Sequence, residues 1–197
     1  MNEIQYSKIA DALVDTGYIV IQNALSKLLI AKLYTQAQDE SHYKKAGISN
    51  TQARHVNATK RSDKTQWLDE DSGVISEYLL FSEGLRVYLN RSLYMGLNYY
   101  EAHFSIYDKD ALYEKHLDSF VGSKNRVVTT LLYLNKEWGD KDGGKLILYD
   151  KDSKELERIS PEGNTLLIFL SDKFPHEVLV TNKKRHSIAG WFRVDKR

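Results

Sequence analysis

The 197-residue sequence contains no cysteine, so disulfides and thiolate metal sites are excluded and His, Asp and Glu remain as the strong side-chain metal ligands. Any metal site here is a hard-ligand site. No run of roughly 18 apolar residues occurs, and no basic-then-apolar leader ends in small residues. Neither a membrane span nor a secretory signal is therefore expected, and a cytoplasmic location is. The 28 basic and 27 acidic residues leave a formal net charge of +1, too little to create a global field for nucleic acid or an anionic membrane. Neither is expected as a partner. A chain of this length with ordinary hydrophobic content buries a sizeable core, and no internal repeat, low-complexity tract or linker divides it. One domain over residues 1–197 is the expectation.

Residues 1–97 read as helical support plus a loop segment. Ile9 and Leu13 lie one helical turn apart ahead of Gly17, which suits a left-handed cap, and a short strand, Tyr18 to Ile21, should follow. Ser26 can cap a second helix in which Leu29, Leu33 and Ala37 recur every four residues. From Ser41 to Lys64 the chain turns polar and basic around Gly47, Asn50 and Asn57, a long loop or loose hairpin of the kind that acts as a lid. Leu85, Leu89 and Leu93 predict a third helix starting near Val74, with Gly84 a candidate break.

After Asn98 the pattern changes to short β-branched and aromatic stretches separated by Gly, Asp, Asn and Lys clusters. The expected strands are Tyr100 to Tyr107, Arg126 to Leu134, Lys145 to Tyr149, Asn164 to Leu170, His176 to Val180 and His186 to Val194. Many short strands with regular turns indicate a sandwich, barrel or jelly roll over 98–197 rather than a parallel α/β sheet. The fold class is mainly β with flanking α-helices (α+β).

Within this half, His116-Leu117-Asp118 places an imidazole and a carboxylate two positions apart, on one face of an extended chain. His176, where the chain turns after Phe174-Pro175, is the candidate third ligand. Two histidines and one carboxylate on one side of an ion make the facial triad of non-haem Fe(II), which leaves positions open for co-substrate and oxygen. Catalytic zinc uses similar donors, but its protease form sits on a helix with histidines four apart, and no such motif occurs. An isolated His-x-Asp is otherwise an ordinary surface pair. His42, His55, His103 and His186 lack a carboxylate at comparable spacing and read as structural or surface residues.

Nine residues after His176, Arg185 opens a strand whose Arg185, Ser187, Ala189 and Trp191 share one face. A buried guanidinium needs an anionic partner and its planar fork matches a carboxylate, so Arg185 suits the distal carboxylate of a dicarboxylic acid, with Ser187 as a further donor. The alternative is a solvated turn charge closing the Lys183-Lys184-Arg185 run. Trp191 divides between core and pocket wall.

His116-x-Asp118, His176 and Arg185 together resemble the motif of the 2-oxoglutarate oxygenases, in the prolyl hydroxylase branch. Residues 126–138, RVVTTLLYLNKEW, and then Gly143-Gly144-Lys145-Leu146 resemble the strand, turn and strand of the oxygen-sensing prolyl hydroxylases and their bacterial relatives. That resemblance, over about residues 55–194, implies a double-stranded β-helix (jelly roll, cupin-like) with N-terminal helices outside. It implies a catalytic metal triad of His116, Asp118 and His176 binding Fe(II). It also implies 2-oxoglutarate held by Arg185, Tyr133, Tyr107, Ser187, Leu146 and Trp191, O2 as oxidant, and ascorbate as a candidate reductant. Arg61, Asp63 and Trp67 resemble the substrate-covering segment of the same enzymes, and Asp63 is expected to pair with Arg126 at the strand entrance. The implied activity is hydroxylation of a prolyl residue in a protein or peptide, with release of succinate and CO2. A small-molecule 2-oxoglutarate oxygenase and a noncatalytic metal- or dicarboxylate-binding jelly roll stand as alternatives.

Overall fold

Period-two alternation governs the second half of the chain and decides which side chains meet a helical layer and which meet a second sheet. The structure, a computed structural model, describes residues 3–46, 48–50, 53–55, 61–68, 73–119 and 125–195, with backbone course only at 48–50 and 53–55. In chain order its elements are α1 (Glu3–Asp15), β1 (Tyr18–Gln22), α2 (Lys27–Ala37), β2 (Lys44–Lys45), β3 (Ile48–Asn50), β4 (Ala53–His55) and β5 (Lys64–Trp67). There follow α3 (Gly73–Leu93), β6 (Tyr99–Tyr107), β7 (Tyr113–His116), β8 (Arg126–Tyr133), β9 (Leu146–Tyr149), β10 (Glu155–Ile159), β11 (Thr165–Leu170), β12 (His176–Val178) and β13 (Arg185–Arg193). The major sheet has the order β1-β11-β8-β13-β6-β5-β2, the minor sheet β10-β9-β12-β7, and β3 and β4 form a separate hairpin. All pairings are antiparallel.

On β13, Ile188 and Phe192 turn toward the helices, and Ala102 and Phe104 of β6, Val128 and Leu132 of β8, and Leu166 and Ile168 of β11 join them in one apolar cluster. The helices contribute Ile9 and Leu13 of α1, Leu29, Leu33 and Ala37 of α2, and Tyr78, Leu85 and Leu89 of α3. The intervening residues of the same strands face the minor sheet, where Tyr133, Leu167 and Phe169 pack on Leu146, Leu148 and Phe174. Helices outside two β-sheets is the expected double-stranded β-helix.

The helix boundaries follow local chemistry. Gly17, at φ +84°, donates its N–H to the Ala12 carbonyl at 2.9 Å and ends α1. Ser26 caps α2 through its side chain, which accepts from the Leu29 N–H at 3.2 Å.

Three sequence expectations need correction. Gly84 does not break α3, which runs unbroken from Gly73 to Leu93. A Cβ there would lie 2.7 Å from the Tyr6 hydroxyl, so the glycine admits α1 against α3. The Ser41–Lys64 stretch, expected as a long loop or loose hairpin, carries β2 and the β3–β4 hairpin; Gly47 and Asn57, which marked it, lie outside the described residues. The division at residue 97 is not a structural one, because β1, β2 and β5 are strands of the major sheet. Finally, β10 was not foreseen: it is an edge strand of largely exposed, charged residues.

Behind the major sheet, Tyr100 Oη lies 2.9 Å from Tyr78 Oη and 2.7 Å from Thr130 Oγ1, and a Cβ on Gly190 would come within 2.0 Å of it. Gly190→Ala is therefore expected to cost about 1–3 kcal/mol of stability with an unchanged denaturant m-value. An unfolding midpoint equal to that of the wild type would show that this contact is not tight.

Candidate active site

β7 and β12 pair so that His116 stands opposite His176, and Asp118 follows two residues beyond His116. Ligand atoms of the three residues lie within 4.8 Å of one another. Nε2 of His116 is 3.8 Å from Asp118 Oδ1, and Nε2 of His176 is 3.6 Å from Asp118 Oδ2. Each imidazole is fixed from behind: Nδ1 of His116 lies 2.7 Å from the Glu114 carbonyl and Nδ1 of His176 lies 3.1 Å from that of Phe174. A carbonyl only accepts, so Nδ1 carries the proton and both Nε2 lone pairs are left for a cation. Thr129 Oγ1 donates to Asp118 Oδ2 at 2.8 Å and is itself 2.9 Å from Ser171 Oγ.

The electrostatics suit metal binding. Burial and the neighbouring His176 push the His116 pKa down to about 3, which keeps the ring neutral. Burial alone would raise the Asp118 carboxyl, but the facing His176 and His116, with Arg126, hold it below its ordinary value. Two imidazoles and one carboxylate are the donor set of a facial-triad site.

A cavity of about 580 Å³ opens between the sheets, lined by the triad and by inward residues of both. At one part of its wall lies Arg185, 1 % exposed. Its Nε donates to the Gly144 carbonyl at 3.0 Å and its Nη1 approaches Ser187 Oγ at 3.5 Å. Its Cζ lies 4.9 Å from the ring centroids of both Tyr107 and Tyr133. Among the described residues no carboxylate forms an ion pair with it. Among the described residues the buried Tyr133 hydroxyl and Trp191 Nε1 make no hydrogen bond of good geometry, the hydroxyl interacting with the Arg185 guanidinium and the indole N–H with Asp118. Gly144, at φ +64°, makes the carbonyl contact feasible: a Cβ there would sit 3.0 Å from Thr181 Oγ1 and 3.1 Å from Arg185 Cδ. A buried cation and the phenol beside it, in the cavity region of a metal triad, fit a dicarboxylate held by both.

Of the other expected site residues, Tyr107, Leu146, Ser187, Trp191, Arg61, Trp67 and Arg126 line the cavity. Tyr133 sits beside Arg185, whose Cζ is 4.9 Å from its ring, next to the lining residues. The expected Asp63–Arg126 pair does not form. Asp63 instead receives two hydrogen bonds from Arg61, at 2.6 and 3.0 Å, and Arg126 bonds Glu101 at 2.9 Å while stacking on Trp191 at 3.7 Å. The local partner wins because Arg61 and Asp63 share one extended segment, and Glu101 faces Arg126 within the sheet. Arg61 continues inward over the Tyr113 ring at 4.6 Å, and Tyr113 stacks on His116 at 3.6 Å, so the segment touches the metal ligand through one aromatic ring.

Sequence reasoning missed Tyr113, Thr129, Leu131 and His103. Their signal was present in alternation: Thr129 and Leu131 share the face of Tyr133, and His103 and Ser105 that of Tyr107. His103, expected to be structural or at the surface, lines the cavity. His186 is buried, edge-on to Tyr34, on the opposite face of β13, and His42 is exposed. The side chain of His55 lies outside the described residues.

Comparison with known proteins agrees with this geometry. The sequence profile of the 2OG-Fe(II) oxygenase superfamily matches residues 102–193. The crystal structure of a Pseudomonas putida prolyl-4-hydroxylase is 31% identical with a TM-score of 0.88, over 97% of this chain and 100% of that one. A prolyl hydroxylase from Trichoplax adhaerens, solved with a hypoxia inducible factor oxygen degradation domain peptide, shares the fold at TM-score 0.87 and 24% identity, over 97% of this chain and 90% of that one. Egl nine homolog 1 of Rattus norvegicus is 38% identical over 88 residues, 43% of this chain, and the match spans about a quarter of that protein, 26%. The chain belongs to the 2OG-Fe(II) oxygenase superfamily, in its prolyl hydroxylase branch. Fe(II) and 2-oxoglutarate are the metal and co-substrate of that family, and the His–Asp–His cluster fits the iron.

Two outcomes follow. Arg185→Gln is expected to weaken 2-oxoglutarate binding by about one to two orders of magnitude while leaving Mn(II) affinity unchanged in calorimetric titration. Unaltered co-substrate affinity would remove Arg185 from the site. The second concerns His103, whose pKa burial lowers from 6.5 to about 4. The unfolded chain then binds more protons than the folded one between those values, so stability rises with pH across that window. The metal-free protein should lose on the order of a few kcal/mol between pH 6.5 and about 4, and His103→Gln should flatten that slope in urea titrations. Parallel slopes would contradict it.

Proposed function

We propose that the chain is an Fe(II)- and 2-oxoglutarate-dependent dioxygenase that hydroxylates a prolyl residue of a protein. The observation that carries the reading is one cavity holding both a His–Asp–His donor set and a buried guanidinium that pairs with no carboxylate among the described residues. In this reading His116, Asp118 and His176 hold Fe(II) and leave part of its coordination sphere open. Arg185, Ser187 and Tyr133 bind the far carboxylate of 2-oxoglutarate, and Tyr107 and Leu146 flank it. When bound, the metal and co-substrate supply an oxidation in which one oxygen atom of O2 enters succinate, the other enters the product, and CO2 is released. The residues of the chain bind and orient: Thr129 steadies Asp118, the carbonyls of Glu114 and Phe174 fix the histidine tautomers, and the aromatic walls exclude water. Ascorbate enters the proposal as an external reductant.

A prolyl target in a protein is supported by the full-length likeness to the Pseudomonas putida prolyl-4-hydroxylase. It also fits a cavity mouth carrying Arg61, Arg126 and Trp67, the last 53% exposed and suited to a polypeptide surface. The test is incubation of a cell lysate with the purified chain, Fe(II), 2-oxoglutarate and O2, followed by peptide mass spectrometry. The expected result is a single-oxygen gain at proline with matching succinate, lost in His116→Ala. Oxygen gain confined to a free metabolite would reassign the chain to small-molecule chemistry. Failure to form O2-dependent succinate would leave a binding module.

A further inference from the structure

His103 is a histidine of the cavity wall that neither the metal nor the co-substrate uses. It stands on β6 opposite Ala189 of β13, in the inward row that continues through Ser105 to Tyr107, and Tyr107 is the strand partner of Arg185. Strands rise about 3.3 Å per residue, so His103 lies roughly 13 Å along the sheet from the Arg185 position. A five-carbon diacid anchored on Arg185 is shorter than that distance. His103 therefore belongs to the end of the cavity left for the primary substrate.

The ring is held tightly there. It is 4% exposed, edge-on to Trp67 at 5.1 Å, and 5.3 Å from Trp191 on the other side. Its Nδ1 lies 3.2 Å from the Phe104 carbonyl and 3.1 Å from Ser105 Oγ. Because the carbonyl only accepts, Nδ1 carries the proton and Nε2 is a lone-pair acceptor. Burial, reinforced by Arg61, keeps the imidazole neutral at physiological pH. Nε2 has no hydrogen-bond partner among the described residues, and the residue lines the cavity.

We propose that His103 is a substrate-positioning residue whose Nε2 accepts a hydrogen bond from a peptide N–H adjacent to the target prolyl residue, between walls formed by Trp67 and Trp191. A prolyl residue within a chain has no N–H of its own, so the donor belongs to its neighbour. A target flanked at that position by a second proline, or by an N-alkylated residue, lacks the donor and is disfavoured. The inference rests on the functional reading above and adds a specificity rule to it.

The probe is a synthetic peptide centred on the proline found oxidised in the lysate experiment, made unmodified and N-methylated at each flanking residue. The variants are His103→Leu, which removes the acceptor at similar bulk, and His103→Gln, which retains one. With wild type, N-methylation at one flank should raise KM about five- to tenfold. His103→Leu should show the same loss on the unmodified peptide and no further loss on the methylated one, and His103→Gln should recover most of it. Anaerobic fluorescence anisotropy of the labelled peptide on protein loaded with Mn(II) and 2-oxoglutarate should move in parallel, with 2-oxoglutarate affinity unchanged. Equal peptide affinity in wild type and His103→Leu, or losses that multiply between variant and methylation, would overturn the role. If His103→Leu does not bind 2-oxoglutarate, the methylated peptides on wild type and His103→Gln decide the matter, and equal KM across them overturns it. If the wild type oxidises no protein, the functional reading fails and the role of His103 fails with it.

Discussion

A guanidinium enclosed in a protein without a carboxylate is costly, and the ion pair it lacks has to come from outside. Among the described residues Arg185 is in that state, with a carbonyl, a distant hydroxyl and two aromatic rings as its partial compensation. The surroundings are arranged to tolerate it. β13 is an interior strand, with Arg185 paired to Tyr107 of β6 and Ser187, two residues on, paired to both β6 and β8, so the side chain is presented by a constrained strand of the major sheet. The Gly143–Gly144 turn that offers the carbonyl is pinned by Trp138 Nε1, which donates to the Gly143 carbonyl at 3.0 Å. A carboxylate arriving there meets donors already oriented, which is how a small diacid can be bound without reorganisation of the site.

The second sheet answers the same constraint from the opposite side. Pairing of β7 with β12 sets the two imidazole centroids 4.3 Å apart with the rings tilted by 54°, and each is locked by a carbonyl two residues earlier in the chain. The site is therefore largely assembled by backbone register, with side-chain packing from Phe169 and Tyr113 closing it. Because Tyr113 stacks on His116 and also carries Arg61, which pairs with Asp63, the 61–67 segment reaches the ligand His116 through one aromatic ring.

Much of this was legible in the residues. The period-two strands, the i, i+2 spacing of His116 and Asp118, and Arg185 nine residues after His176 all depend on short-range geometry, and the structure brings them together. What escaped depends on pairing between distant segments. His103 looks like any lone histidine until β6 is set beside β13. Arg126 has two carboxylates within plausible reach, and only the register of the sheet selects Glu101 over Asp63. Gly84 reads as a helix break because its compensation, the ring of Tyr6, comes from another helix. The β10 edge strand hides in a charged sequence, since an edge needs no apolar face on both sides.

The central claim is that one cavity holds a metal and a dicarboxylate together, the first on His116, Asp118 and His176 and the second on Arg185. The most direct measurement is a crystal structure of the protein grown anaerobically with Mn(II) and 2-oxoglutarate, with anomalous data to locate the metal. The account predicts an anomalous peak coordinated by the two Nε2 atoms and Asp118, with the far carboxylate of 2-oxoglutarate on the Arg185 guanidinium and within reach of the Tyr133 hydroxyl. A metal bound elsewhere, or a co-substrate that leaves Arg185 without an anion, would contradict it.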